Sequence, residues 1–260
     1  MIARPAYAEV FCEGYHDRAF WKGLLLRLGF RDARERAHDS RSAPLFDPDG
    51  SRVDKGRFAF LSAGGSFLTV VPCGSKAQAI RSAKQRILGL ATKPRAWVIL
   101  SVDLDEQSED ELSDTFDGLA RAAESIDRST KRNPSAHEFE LPTLGATFSL
   151  SAWSGASTEQ LPGVPFRHTL ERLICEAMVA AHADRGTVVN DWTAAVAQTN
   201  PSAVTEPKHY LWSYMAGWYS DFGCEGFLSH IWEEPEVATR LVKALGGSSF
   251  TPVLARLSSY

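Results

Sequence analysis

The feature that most constrains the fold of this chain is an apolar run at residues 96–102, which ends in the acidic sequence Asp103-Leu104-Asp105. A run of large and β-branched side chains without polar alternation is typical of a central strand that is buried on both faces. Alternate strand residues point the same way, so we expect Asp103 and Asp105 to project to one side. They would follow the carboxyl end of the strand, where open α/β sheets bind ligands.

The segments around this run alternate between strand and helix patterns. Residues 7–12, 58–61, 67–71 and 146–153 suit strands, whereas apolar residues recur at helical spacing in 20–28, 80–87 and 111–126. This alternation predicts an α/β fold with a mostly parallel sheet flanked by helices. Residues 31–57 are polar and without a sustained period, and we expect them to form a long excursion outside the core.

After Pro165 the pattern becomes helical. Leu170, Leu173, Ile174 and Ala177 form a regular stripe, and weaker helical patterns run through 188–199, 207–219 and 236–245. We therefore predict an α/β domain over residues 1–160 and a helical extension over residues 161–260 that packs on it.

Composition excludes several classes of protein. Lys and Arg total 28 against 32 Asp and Glu, a formal charge of −4, so any contact with nucleic acid must be local. No apolar run approaches the ~20 residues of a membrane span, and no secretory signal is visible. Four scattered cysteines without zinc spacing predict reduced thiols in the cytoplasm. The absence of G-x-S-x-G argues against acyl-transfer hydrolysis.

Two further acids accompany the first predicted strand and its helix. Glu13 follows the strand directly, and Asp17 lies in the first turn of the helix, so both can face one crevice with Asp103 and Asp105. Carboxylates gathered in a partly dry crevice repel one another unless a cation neutralises them, and Mg²⁺ prefers such oxygen ligands. The alternative is that Asp17 caps its helix, Glu13 is a surface residue, and the two aspartates form a polar turn.

The combination of strand-Glu13-Gly14-x-x-Asp17-helix with a buried strand ending in Asp103-x-Asp105 resembles the Toprim domain of topoisomerases, primases and OLD-family nucleases. The resemblance covers residues 6–153 and is closest to small stand-alone Toprim relatives of OLD nucleases. It extends to residues 170–177, which resemble the Leu-Glu-Asp-Leu helix of those proteins with Arg172 in place of the acid. The resemblance implies a mostly parallel sheet, acid–base work by Glu13, and Mg²⁺ bound by the two aspartates, with Mn²⁺ as a substitute.

The other candidate residues flank this crevice. Glu171 lies beside the apolar stripe of its helix, where it either leans toward the sheet as a metal ligand or is a solvated edge residue. Lys208 begins a second stripe, and by the resemblance it would stabilise phosphate charge during catalysis; alternatively it snorkels at the helix start. Gly74-Ser75-Lys76 lies between a strand and a helix and predicts a phosphate contact, unless it is only a helix start. We expect His16 to face solvent.

These patterns predict a Mg²⁺-dependent phosphodiester nuclease acting on DNA or RNA. Glu13, Asp17 and Lys208 are the predicted catalytic residues, and Glu13, Asp17, Asp103, Asp105 and Glu171 the predicted metal ligands. The resemblance implies a role in anti-phage defence with nucleic acid and a separate ATPase subunit as partners. The sequence leaves open whether the chain forms a homo-oligomer. The alternatives are a non-catalytic regulatory subunit that binds nucleic acid or protein, and an enzyme acting on a small nucleotide.

Overall fold

The computed structural model describes residues 6–34, 44–54, 56–105, 109–153, 164–165, 167–246 and 249–259. The strands are β1 (Tyr7–Cys12), β2 (Arg31–Asp32), β3 (Phe58–Leu61), β4 (Phe67–Pro72), β5 (Trp97–Asp103), β6 (Lys131–Asn133), β7 (Glu138–Leu141) and β8 (Ala146–Trp153). The helices are α1 (Tyr15–Arg27), α2 (Lys76–Leu88), α3 (Glu109–Ile126), α4 (Leu170–Ala181), α5 (Ala183–Thr199), α6 (Pro207–Trp218), α7 (Gly223–His230), α8 (Pro235–Leu245) and α9 (Thr251–Ser258). Short 3-10 segments cover Pro134–Ala136, Pro142–Leu144, Pro201–Val204 and Ser220–Phe222.

The strands form one sheet in the order β2-β3-β4-β1-β5-β8-β7-β6. The four central strands, β4, β1, β5 and β8, are parallel to one another, and antiparallel strands extend the sheet at both sides. The expected α/β architecture is therefore present, but the sheet is mixed rather than mostly parallel. The antiparallel strands β6 and β7 were not expected, because strands of three and four residues carry little periodic signal.

The central strand β5 is buried along nearly its whole length, as the apolar run predicts. Trp97 and Ile99 belong to the core on one face, whereas Val98 and Leu100 belong to the core on the other face. Successive strand residues alternate between faces, so a strand covered on both sides needs apolar residues at every position.

Helices cover both faces of the sheet. Helices α2 and α3 pack on the face that carries Val98 and Leu100. On the opposite face, α1 shares one hydrophobic core with the helices that follow residue 169, including Leu173 of α4 and Trp232. The C-terminal helices are thus part of the same core as α1 rather than a layer outside it.

The polar segment 31–57 is partly attached to the core, contrary to the sequence expectation. Arg31 and Asp32 form β2 on β3, and the side chain of Val53 is buried. The Tyr7 hydroxyl donates a 3.2 Å hydrogen bond to Asp47, which ties residues 44–54 to the sheet. Residues 35–43 of this segment lie outside the described residues.

Candidate metal and phosphodiester site

The site lies at the carboxyl ends of β1 and β5, which are neighbours in the sheet. The chain leaving β1 enters α1 on one face, and the chain leaving β5 leads to α3 on the other. This divergence opens the crevice in which α/β sheets bind ligands. Glu13 follows β1 and Asp103 ends β5, and the backbone N–H of Asp103 donates to Oε1 of Glu13 over 2.7 Å.

Helix α4 is held against this crevice by the segment that precedes it. His168 forms a two-way backbone bridge with Asp105, with N–O distances of 2.9 Å in both directions. The N–H of Leu170 then donates to Oδ1 of Asp103 over 2.9 Å. These bonds bring Glu171, in the first turn of α4, to the same crevice, so the leaning orientation expected for Glu171 is the one found.

Asp17 is buried beneath the crevice with hydrogen bonds to both carboxylate oxygens. Its Oδ1 accepts from the indole N–H of Trp153 over 2.8 Å, and its Oδ2 accepts from the backbone N–H of Gly14 over 3.0 Å. The second bond caps the start of α1, as the structural alternative for Asp17 predicts. Asp17 therefore joins β8 to α1 while also contributing negative charge to the site.

The buried carboxylates perturb one another strongly. Burial raises the pKa of Glu13 to about 7 and that of Asp17 to about 6. Burial also raises the pKa of Asp103 well above its usual range, and the charges of Asp17 and Glu171 add to this effect. Such shifts are expected where like charges meet in a poorly solvated site without a neutralising cation.

The donor set suits a hard divalent cation. The carboxylates of Glu13, Asp103 and Glu171 offer only oxygen donors, the type of ligand that Mg²⁺ prefers. In the described part of the chain, no group of three or more Cys, His, Asp or Glu side chains is arranged to hold a metal ion as it stands. Mg²⁺ usually keeps several waters and needs only one or two protein carboxylates, so the residues fit this ion without a closed cage.

Asp105 does not project alongside Asp103, contrary to the alternation argument. Strand β5 ends at Asp103, and Asp105 adopts a left-handed backbone conformation with φ of 59°, so the side-chain alternation of a strand no longer applies. Its side chain is half exposed, and Oδ2 lies 3.7 Å from Nζ of Lys76. The charge of Asp105 still acts on Glu13, because it raises the pKa of that carboxyl group.

The Gly74-Ser75-Lys76 segment borders the site at the start of α2. Gly74 has a φ of +90° and its N–H donates to the backbone oxygen of Glu13, which fixes the turn against β1. The Ser75 hydroxyl caps α2 by accepting from the N–H of Gln78 over 3.3 Å. Lys76 faces the acids, where its charge lowers the pKa of Glu13. A phosphate contact here stays a prediction.

Lys208 is not paired with the carboxylate cluster. Its Nζ lies 2.6 Å from a carboxylate oxygen of Glu206, and the side chain is 46% exposed at the start of α6. Leu211 and Tyr214, which follow this lysine at helical spacing, pack inward, while the long lysine side chain turns out to solvent. The catalytic role of Lys208 receives no support from these contacts.

His16 is half-buried beside the site, whereas the sequence led us to expect a solvent-facing side chain. Its Nδ1 lies 3.9 Å from Oε1 of Glu171, and its Nε2 lies 3.2 Å from Sγ of Cys224. Contacts with Cys224 and Glu171 raise the pKa of His16. Burial alone would raise the pKa of Glu171, but the interaction with His16 outweighs it and holds this pKa below its usual range.

Sequence reasoning missed Trp153 and Cys224, because their contacts join positions 136 and 208 residues apart. The sequence showed Trp153 only as the last residue of a predicted strand and Cys224 only as one of four scattered cysteines. Arg172, which stands where the helix it resembles has an acid, is buried. It donates to Glu176 over 2.8 Å and to the backbone oxygens of Val164 and Pro165, so it anchors the segment before α4.

The adjacent basic residues Lys131 and Arg132 lie on edge strand β6. The guanidinium of Arg132 contacts Glu124 over 2.6 Å and Asp117 over 3.1 Å. Because both acids face this arginine, its charge is already balanced on the surface.

Comparisons with protein-family models, curated proteins and solved structures found no match for this chain. Among the helices that the structure describes, none has both the length and the apolar character needed to cross a bilayer.

Proposed function

We propose that this chain is a Mg²⁺-dependent phosphodiester nuclease of Toprim type. The observation that carries the proposal is a set of three carboxylates at the ends of β1 and β5, the buried Asp17 and the half-buried Glu13 and Asp103, whose pKa values are all raised. A cluster that holds repelling charges in a crevice costs folding free energy, and perturbed groups of this kind gather at functional sites. A bound divalent cation would relieve that repulsion and would also attract a phosphate substrate.

Asp103 and Glu171 would hold the cation, with the uncoordinated carboxylate of Glu13 beside it. When bound, Mg²⁺ supplies Lewis-acid stabilisation of the charge that develops on the phosphoryl oxygens. The backbone N–H groups of Asp103 and Leu170 orient Glu13 and Asp103 before any ligand arrives. This preorganisation reduces the reorganisation that catalysis would otherwise require.

Glu13 is the proposed general base. A carboxylate with a pKa of about 7 is protonated or ionised with similar ease at neutral pH, which suits removal of a proton from an attacking water. Nζ of Lys76 lies 3.7 Å from Oδ2 of Asp105. We propose that this cation binds a phosphate oxygen of the substrate. Asp17 positions the start of α1 by accepting a hydrogen bond from the backbone N–H of Gly14. We propose that it acts on the site mainly through the electrostatic field of its charge.

Cleavage of plasmid DNA, single-stranded DNA, tRNA and structured RNA with Mg²⁺, Mn²⁺ or EDTA tests this function. Asp103→Asn retains an acceptor for the Leu170 N–H but loses the charge, and Glu13→Gln retains an acceptor for the Asp103 N–H. We expect metal-dependent cutting by the wild type and a loss of about 100-fold or more in either variant. Glu140→Gln, at an exposed position on β7, is the matched control and should cut normally.

Full activity in both site variants would overturn the assignment of the site. Absence of cutting on every substrate by a folded, Mg²⁺-binding wild type would instead favour the alternative of a non-catalytic regulatory subunit. The proposed role in anti-phage defence and the ATPase partner rest on the family resemblance, and co-purification with an ATPase encoded beside this chain would support them.

A further inference from the structure

The tryptophans of this chain divide into two groups. Trp21, Trp97, Trp153 and Trp232 are buried in the core, with at most 2% of their surface exposed. The other three, Trp192, Trp212 and Trp218, are 54%, 44% and 37% exposed, respectively. Burying large aromatic rings is favourable, so three partly exposed indoles on one protein call for an explanation beyond core packing.

All three exposed tryptophans line one groove between α5 and α6, which we name the indole groove. It has a volume of about 520 Å³, within the range of ligand pockets. Its other lining residues are Val188, Val189, His209, Ser213, Ala216 and Gly217. The groove therefore offers aromatic faces and few hydrogen-bonding groups.

The indole groove lies beside the candidate site, with the imidazole of His16 between them. The ring of Trp212 meets the imidazole of His16 edge to face, with centroids 6.4 Å apart. The other side of the same imidazole lies 3.9 Å from the carboxylate of Glu171. One side chain thus separates the end of the groove from a proposed metal ligand.

Two cationic side chains lie near tryptophans of the indole groove. The guanidinium of Arg185 lies 5.5 Å from the ring centroid of Trp218, although Glu234 is also within 3.8 Å of it. Lys208 lies one helical turn before Trp212, on the same face of α6. Lys208 is paired with Glu206 but is exposed, so a phosphate can compete for it.

We propose that the indole groove binds unpaired bases of a single-stranded nucleic acid whose backbone passes the carboxylate site. This inference rests on the proposed function, because a phosphodiester at Glu171 would place neighbouring bases within reach of Trp212. Indole faces stack on any base, whereas the paired and stacked bases of a duplex do not expose their faces. The chain therefore selects single-stranded segments, and the choice is made by stacking rather than by hydrogen bonds to base edges.

The test is the binding of fluorescent oligothymidylate and oligouridylate of about 12 nucleotides to the full chain, measured by anisotropy with Ca²⁺ in place of Mg²⁺. A duplex of the same length is the comparison ligand. We expect each of Trp192→Ala and Trp212→Ala to weaken single-strand binding about fivefold or more, since stacking on an aromatic side chain contributes this much per base. Trp192→Phe should retain most of the affinity, because it keeps a ring.

Val242→Ala removes part of an exposed apolar side chain on α8, away from the groove, and is the matched control that should bind normally. Trp212 contacts His16 and its loss can disturb the site, so Trp192→Ala, further along the groove, is the decisive variant. Wild-type affinity in Trp192→Ala, or equal affinity of the wild type for the duplex, would overturn the proposal and leave the groove to a protein partner.

Failure of this inference is distinguishable from failure of the proposed nuclease. Binding is measured without cleavage, so an inactive protein whose single-strand binding depends on Trp192 would contradict the nuclease alone. A protein that cuts in an Asp103-dependent manner with equal efficiency in Trp192→Ala would contradict the groove alone.

Discussion

The backbone N–H of Asp103 donates a 2.7 Å hydrogen bond to Oε1 of Glu13, joining the last residue of β5 to the residue that follows β1. The bond favours the ionised form of Glu13, yet burial and the neighbouring acids outweigh it and raise the pKa to about 7. The same contact therefore orients the carboxylate and leaves it poised near neutral pH. Four predictions follow from this and related contacts.

The first concerns the pH dependence of stability without metal. The pKa of Glu13 rises from an ordinary 4.5 to about 7 on folding, so the folded state binds its proton more tightly than the unfolded state. Stability is then full below pH 4.5 and falls as the pH rises to about 7. Glu13→Gln should remove part of this loss and raise the free energy of unfolding at pH 8 by roughly 1 to 2 kcal/mol, allowing for partial exposure.

Urea unfolding in EDTA at pH 5 and pH 8 measures this effect. Glu140→Gln, an exposed acid on β7, is the control and should change stability little at either pH. Equal stability of Glu13→Gln and wild type at pH 8 would contradict the proposed electrostatic cost.

The second prediction concerns metal binding. An ion that binds only the folded state raises the midpoint of thermal unfolding, Tm, by an amount that grows with the ratio of its concentration to its dissociation constant. Mg²⁺ should therefore raise the Tm of the wild type at pH 8, and EDTA should reverse the shift. Glu171→Gln and Asp103→Asn should each lose most of the shift, because each removes a charge that faces the cluster. An undiminished Mg²⁺ shift in both variants would place the ion elsewhere.

The third prediction separates Asp17 from the other acids. Asp17→Ala leaves the indole N–H of Trp153 and the N–H of Gly14 without their acceptor, so we expect a loss of about 2 to 3 kcal/mol in stability. In a double-mutant cycle with Trp153→Phe, the two changes should be non-additive by about 1 kcal/mol, since they share one hydrogen bond. Additive losses would show that the bond contributes little.

The fourth prediction tests how α1 packs on the C-terminal helices. A Cβ built on Gly23 would lie 2.1 Å from Cδ1 of Trp232 and 2.7 Å from the backbone oxygen of Ser229. Gly23→Ala should therefore lower the free energy of unfolding by about 3 kcal/mol or more, because helix backbones must separate.

Gly118, within α3, is the matched control, because an added Cβ would meet no atom within 4 Å. Gly118→Ala should stabilise the protein by up to about 1 kcal/mol through helix propensity alone. Comparable effects of the two alanine substitutions in a urea titration would rule out the tight helix crossing at Gly23.

Much of the central fold could be predicted from local patterns. The strand at 146–153 was predicted with the bounds that β8 has, and the buried run at 96–102 lies within one residue of β5. These strands can be recognised in the sequence because burial on both faces requires apolar residues at every position. The short strands β6 and β7 and the short helices α7 and α9 were missed, because three or four strand residues and two helical turns leave little periodic signal.

The sequence by itself determined that Glu13 and Asp103 end two buried strands, and therefore that acids would meet at one edge of a sheet. Tertiary structure decided the rest of the site. It turned Asp105 toward Lys76, paired Lys208 with Glu206, placed His16 between Glu171 and Trp212, and gathered three tryptophans into one groove. The physical reason is the distance along the chain over which each feature is determined. The burial of a strand is indicated by neighbouring residues, whereas these contacts depend on how distant helices pack against the sheet.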